Sequence, residues 1–334
     1  MGVMMDRSST SSSRQEWVDV ARGVGIILVV YGHILRGNFN PKTRPAWASV
    51  QDAMIYSFHM PLFFVLAGLF LWPSIGRGRT NYLKDRWWTI AYPYLLWSLV
   101  CGLIEVVMSR FVNSPLGWVD IASIPIKPIE QFWFLYALFI TQVVAALSFP
   151  SKLRLWVIAV AGVALVTVFG RLSIVHRAFY FLPYVALGVS AAGLMSRLAI
   201  APPMLRVIVA VFAWLSFLVL WAMGEDCLAR NFALASAGSL GVLAMAMLVP
   251  KGIAGNVLAE LGRASLAIFA LHTLFSAGTR IALQRVGVDR ESVVSIVLST
   301  VVGLSPWLLW QWSRGTRFEY LIGFGSKPAK TKPA

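Results

Sequence analysis

Residues 16–35, EWVDVARGVGIILVVYGHIL, decide the fold. From Gly23 to Leu35 this stretch carries no charged residue. Asp19 and Arg22 stand at its start and His33 near its far end. An apolar run of this length reads as a helix that crosses a bilayer. Arg22 and His33 are eleven positions apart, or about 16 Å at helical rise, roughly half the hydrocarbon thickness. Arg22 therefore falls at one membrane face and His33 past the middle. An ionisable group at that depth is costly and marks a functional candidate. A polar side chain that hydrogen-bonds a neighbouring helix for packing has an equal claim on the position.

The rest of the chain agrees with this start. Of 334 residues, 58% are hydrophobic and 13% charged, and the mean hydropathy is +0.72. These values exclude an ordinary soluble domain and predict an all-α, polytopic integral membrane protein. The net charge of +15 fits basic loops against anionic lipid headgroups. Basic and aromatic residues do not interleave outside the apolar runs, so nucleic acid is not an expected partner. Cys101 and Cys227 are far apart in apolar surroundings and offer neither metal spacing nor a disulfide framework. Residues 1–15 are Ser-rich and polar, and the next helix lacks a small-residue cleavage site. A retained first helix behind a disordered cytoplasmic N-terminus is expected.

About ten spans are expected, near 19–36, 52–73, 88–109, 130–148, 154–170, 178–195, 204–223, 232–249, 263–284 and 291–312. They make up a transmembrane domain over 16–312, followed by a basic, Pro-rich cytoplasmic tail over 313–334. With the N-terminus inside, the inner segments carry 17 Lys and Arg and the outer ones 10, with Arg22 and Arg280 inside spans. This bias places both termini in the cytoplasm. No internal repeat is visible, so an inverted-repeat transporter has no support.

Several polar groups are candidates for chemistry. His59, in SFHMPLFFVLAGLF, enters from the outer side to about the depth that His33 reaches from the inner side, so the two can approach. A polar packing pair would look the same. Asp19 and Arg22, at i and i+3, can pair on one face. Arg22 is either half of a weak interfacial bridge or a cation for a phosphate or carboxylate at the cytoplasmic mouth. The inner loop GRGRTNYLKDRWW places Arg77, Arg79, Lys84 and Arg86 beside two tryptophans. It suits a positive-inside anchor and also a docking surface for a phosphorylated cytosolic donor. Glu130, in EQFWFL, is placed to orient a histidine or bind a sugar hydroxyl, and Trp133 to stack on a sugar ring, unless both are plain interfacial residues. His272 falls at mid-bilayer in LAIFALHTLF, with no role assigned, as for Glu105. His176 lies in a short outer loop. No nucleophile elbow, P-loop or dinucleotide fingerprint is present.

REWVDVARGVGIILVVYGH, SFHMPLFFVLAGLF, EQFWFLYALF and FYFLPYVALGV, in this order and spacing, resemble the membrane-bound acyltransferase-3 family, and within it the fucose 4-O-acetylase-like carbohydrate O-acetyltransferases. The likeness covers roughly residues 14–312. Its most specific part is an arginine, ten residues and a histidine, here Arg22 and His33. Ala67-Gly68 departs from the Ser-Gly of many relatives. The resemblance implies transfer of an acetyl or other acyl group from cytosolic acetyl-CoA to a hydroxyl of a cell-surface or exported carbohydrate, or of its lipid-linked glycan precursor. The donor is then a co-substrate, with no bound cofactor and no metal. The setting implied is the bacterial cytoplasmic (inner) membrane, crossed many times. His33 would act as general base on the acceptor hydroxyl, assisted by His59. Arg22, with Arg77, Arg79, Lys84 and Arg86, would hold the donor, and Glu130, Trp133 and Asp19 would orient the acceptor. The rival expectation is a transporter or flippase that uses the intramembrane histidines as a proton relay.

Overall fold

The computed structural model describes residues 7–107, 116–169, 175–224 and 226–325, with side chains from Glu16 onward. Residues 1–6 of the expected N-terminal segment and 326–334 of the expected tail lie outside the described residues. Every regular element among the described residues is helical. In order these are α1 (Arg7–Asn38), α2 (Ala46–Leu69), α3 (Leu71–Gly76), α4 (Arg79–Arg86), a π-helical turn (Trp87–Ala91), α5 (Tyr92–Val107), α6 (Trp118–Ser123) and a 3-10 turn (Glu130–Phe132). There follow α7 (Trp133–Ser148), α8 (Lys152–Phe169), α9 (His176–Ala199), α10 (Pro203–Ala222), α11 (Leu228–Ala246), α12 (Ile253–Arg263), α13 (Ser265–Arg285), α14 (Val293–Leu304), α15 (Pro306–Ser313) and α16 (Arg317–Leu321).

Ten helical stretches among the described residues are long and apolar enough to cross a membrane: Glu16–Asn38, Ala46–Gly76, Arg79–Val107, Glu130–Ser148, Lys152–Phe169, His176–Ala199, Pro203–Ala222, Leu228–Ala246, Ser265–Arg285 and Val293–Ser313. Each contains one of the ten expected spans almost entirely, so the all-α polytopic architecture stands. The largest difference is the third stretch, which begins nine residues early. Its basic run is a helix, α4, continuous with α5 through the π turn. Pro93 has no N–H to give the preceding turn, and the ladder widens where that bond is missing. The segment between the eighth and ninth spans also differs from expectation. Rather than a plain loop it forms α12, which buries Gly255, Ala259, Leu261 and Gly262.

The chain divides into two compact units, Met1–Phe63 with Gly193–Leu309, and Phe64–Ala192 with Trp310–Ala334. In the first unit α1 packs against α11, α12, α13 and α14. At the α1–α12 crossing the backbones touch. A Cβ on Gly23 would lie 2.0 Å from the Leu258 carbonyl oxygen, and one on Gly262 would lie 1.8 Å from that of Asp19. Only glycine permits this approach. The apolar windows of the first two spans are 61% and 67% buried, against 17% for α10. The helices that carry His33 and His59 are thus enclosed by protein, whereas α10 turns most of its surface outward.

In the second unit the C-terminal turn folds back onto α5. The Trp97 indole N–H donates to the Ile322 carbonyl at 2.8 Å, and its ring stacks on Phe324 at 5.2 Å. The Tyr92 hydroxyl donates to the Leu321 carbonyl at 2.6 Å. These bonds give the described part of the expected tail, through Gly325, a fixed place on the membrane helices.

Candidate active site

His33 lies three turns into the apolar part of α1, and its neighbours are rings. The His272 ring of α13 meets it in a T-shaped contact, with centroids 5.0 Å apart and planes at 70°. Tyr56 of α2 lies 6.3 Å away on centroids. Tyr56 in turn meets His59 at 4.6 Å, nearly perpendicular. The expected approach of His33 and His59 is therefore made through Tyr56, and the histidine in direct ring contact with His33 is His272.

The tautomers of two of these rings follow from their partners. His59 Nδ1 lies 2.7 Å from the Ile55 carbonyl oxygen. His272 Nδ1 lies 3.1 Å from the Ile268 oxygen and 2.8 Å from the Phe269 oxygen. A carbonyl only accepts, so each Nδ1 carries the hydrogen, and the neutral ring keeps its lone pair on Nε2. Both rings are buried, His59 at 1% and His272 at 0% exposure, whereas His33 keeps some accessible surface.

A charged clamp closes this end of the cluster. Asp52 of α2 accepts from Arg36 Nε at 2.7 Å and Nη2 at 3.2 Å, and pairs with Arg44 Nη1 at 2.9 Å. The Arg36 guanidinium lies 3.1 Å from the centroid of the Tyr56 ring. A guanidinium on an aromatic face gains from the ring quadrupole, the more so when little water is present. Asn38, at the end of α1, donates to the Arg290 carbonyl at 2.7 Å. The position of α1 is thus fixed just beyond His33.

At the other end of α1, Asp19 and Arg22 pair as expected, at 3.6 Å. Arg263 of α12 also reaches Asp19, at 3.4 Å, and Glu260 at 2.7 Å. The Arg22 side chain is 41% exposed and within reach of a solute. Eleven residues are just over three helical turns, so Arg22 and His33 share one face of α1.

The remaining candidates belong to the second unit. Arg77 donates to the Ser74 hydroxyl at 3.3 Å, and Arg79 to the Phe149 carbonyl at 3.1 Å. Arg86 pairs with Asp85 and lies 5.3 Å from the Tyr82 ring centroid, while Lys84 is exposed. Glu130 is exposed with φ +39°, a left-handed conformation that a glutamate adopts only where its surroundings impose it. Trp133 stacks with Phe181 at 5.4 Å and lies under the Arg177 guanidinium at 4.6 Å, so its ring is already engaged within the protein. Glu105 is partly exposed near the end of α5. His176 opens α9 and stacks on Tyr180. Among the described residues no three His, Cys, Asp or Glu side chains gather to hold a metal ion.

Sequence reasoning missed His272 as the partner of His33, and Tyr56, Arg36, Arg44 and Asp52 around it. The available signal was a histidine at mid-span in α13. Its pairing depends on α13 packing against α1, which no local pattern encodes.

Ten membrane-length helical stretches among the described residues define a multi-pass membrane protein, and its first unit holds His33, Tyr56, His59 and His272 in one ring cluster with Arg22 on the His33 face of α1. Residues 15–310 match the family model described as Acyltransferase domain, and the chain belongs to the acyltransferase-3 family. Its membrane-length helices make it a multi-pass membrane protein of that family. The chain is also similar to Nodulation protein NolL of Mesorhizobium japonicum, at 29% identity over 181 residues, 53% of this chain and 48% of the relative. Nodulation protein NolL of Sinorhizobium fredii is 30% identical over 192 residues, 54% of this chain and 50% of the relative. The chain thus spans about half the length of the curated relatives it matches. No solved structure matches it.

Proposed function

We propose that the protein moves an acetyl group from cytosolic acetyl-CoA to a hydroxyl of a cell-surface or exported carbohydrate, or of its lipid-linked precursor, with His33 as the general base. The observation that carries this is the layout of α1. Arg22 stands half-exposed at one end, and His33 shares its face at the other, in a ring cluster with His272 and Tyr56. Arg22 holds the anionic part of the donor, with Arg77, Arg79, Lys84 and Arg86 contributing charge. Asp19 and Glu130 remain as orienting groups for the acceptor, whereas the Trp133 ring is taken up by Phe181 and Arg177 and orients it at most through its edge. Both termini lie in the cytoplasm of a bacterial inner membrane, in keeping with the Lys and Arg bias of the loops.

In the chemical step a His33 ring nitrogen takes the proton of the acceptor hydroxyl. The oxygen bonds to the thioester carbonyl carbon, the carbon–sulfur bond breaks, and the departing thiolate takes the proton back from His33. No net proton is consumed, and His33 returns neutral.

The test is base-labile O-acetyl on cell-surface glycans, measured with and without the gene, together with acetyl transfer by purified variants. The gene should add such acetyl groups. His33→Ala should insert normally, since it removes a polar group from membrane depth. It should lose about 10²–10⁴-fold in turnover, the usual contribution of a general base. His59→Ala should be impaired, and His176→Ala should match the wild type. Arg22→Ala should raise the acetyl-CoA KM. Wild-type turnover by purified His33→Ala would overturn the base assignment, and unchanged donor kinetics in Arg22→Ala would remove that residue from the donor site.

A further inference from the structure

We propose that His272 is a positioning residue for His33. Its Nε2 accepts a hydrogen bond from the N–H of His33, which selects the nitrogen of His33 left free to take the acceptor's proton and steadies the ring once it is protonated.

Three observations meet here. The Nδ1–H of His272 is committed to the Ile268 and Phe269 carbonyls of its own helix. In the neutral ring that leaves Nε2 as an acceptor and nothing else. Nε2 is buried and has no hydrogen-bond partner among the described residues, an uncommon state for a buried polar atom. The ring to which it belongs lies against that of His33, with centroids 5.0 Å apart and planes at 70°. At that centroid separation, two imidazoles turned nitrogen to nitrogen are at hydrogen-bond distance.

The surroundings leave the task to His272. Toward His33, α2 presents Tyr56, with the Arg36 guanidinium against its ring, and beyond it His59. The nearest carboxylate on α2, Asp52, is taken up by Arg36 and Arg44. A free imidazole exchanges its proton between two nitrogens, and a base used in one orientation needs that exchange stopped. In many hydrolases a carboxylate does this, and here a neutral imidazole with its own tautomer locked by two backbone carbonyls fills the place.

The inference rests on His33 being the base, and the experiment separates the two claims. The chain has four histidines, so histidine labelled with 15N in the rings gives a spectrum simple enough to assign by single substitutions in the full-length protein. In the wild type, without substrate, His272 should be neutral and protonated at Nδ1, and His33 should show one tautomer. In His272→Leu, which fills the same space without an acceptor, His33 should become a mixture of tautomers. Its acetyl-transfer kcat should fall about 10–100-fold, the range found when the hydrogen-bond partner of a metal-bound histidine is removed, with the acetyl-CoA KM unchanged. His272→Gln places a carbonyl oxygen near the position of Nε2 and should restore the single tautomer and most of kcat. A wild-type spectrum with His272 protonated at Nε2 overturns the proposal even if no variant folds. So does His272→Leu with one His33 tautomer and full kcat. The spectrum is read without substrate, so failure of the acyl-transfer assignment leaves it intact.

Discussion

Gly262→Ala adds one methyl group where the structure has no room for it. The new Cβ would stand 1.8 Å from the Asp19 carbonyl oxygen, 2.7 Å from its carbon and 2.9 Å from the Gly23 nitrogen. Side-chain carbons do not come within 3.0 Å of such atoms, so α12 must retreat from α1 by at least about 1.2 Å. All three atoms are backbone, and no rotamer change can relieve the clash. Overpacking of this kind costs about 1–3 kcal/mol, and a rigid obstacle puts the cost near the upper end. That is about a hundredfold in the ratio of folded to unfolded protein, at 1.4 kcal/mol per decade. The assay is the thermal midpoint of the purified protein in one detergent. The matched control is Gly278→Ala, in α13, where an added Cβ meets nothing within 4 Å and alanine favours the helix by about 0.8–1.0 kcal/mol. Gly262→Ala should melt several degrees below the wild type, and Gly278→Ala at or above it. Equal midpoints for the two variants would refute the backbone contact between α1 and α12.

Asp52→Asn should destabilise by about 1.5–3 kcal/mol, the range for hydrogen bonds to charged groups. Most of this comes from Arg44, whose side chain is 10% exposed, and little from Arg36, which is 46% exposed and screened by solvent. An unchanged thermal midpoint would show that the clamp carries no load. A reporter that works only in the cytoplasm, fused to the C-terminus, should be active, because the Lys and Arg bias puts the N-terminus inside and the ten candidate spans among the described residues return the chain to that side. Activity only from a periplasmic reporter would reverse the orientation.

The membrane architecture was legible because spanning a bilayer needs an apolar run of nearly fixed length, and each of the ten runs carries that signal alone. Asp19 and Arg22 were legible as a pair for a similar local reason, since i and i+3 share a helix face. The surroundings of His33 were not. His272 is distant along the chain, and its contact with His33 depends on how two helices pack. The same holds for Asp52, which as sequence is an ordinary acid near a helix start. It becomes the hub of two arginines only when α1 and α2 lie side by side. Helix α12 escaped notice because its binding face is written in Gly255, Ala259 and Gly262. Small residues permit a close contact without announcing one. Trp133 shows the opposite case. Its aromatic character was plain, but that Phe181 and Arg177 occupy the ring depends on how α7 and α9 pack.

The eleven-residue interval between Arg22 and His33 sets a phase as well as a length. Near the arginine α1 is pinned by the Gly23–Gly262 contact, and beyond the histidine by Arg36 and Asn38. A shaft held at both ends cannot absorb a twist. One residue inserted between them turns the two side chains about 100° apart, whatever its chemistry. An insertion of four comes close to one full turn and brings them back into line, at the cost of about 6 Å more separation. Apolar exchanges that fit the packing around Ile26, Val29 and Val30 leave this phase intact, whereas a change of one in the count does not.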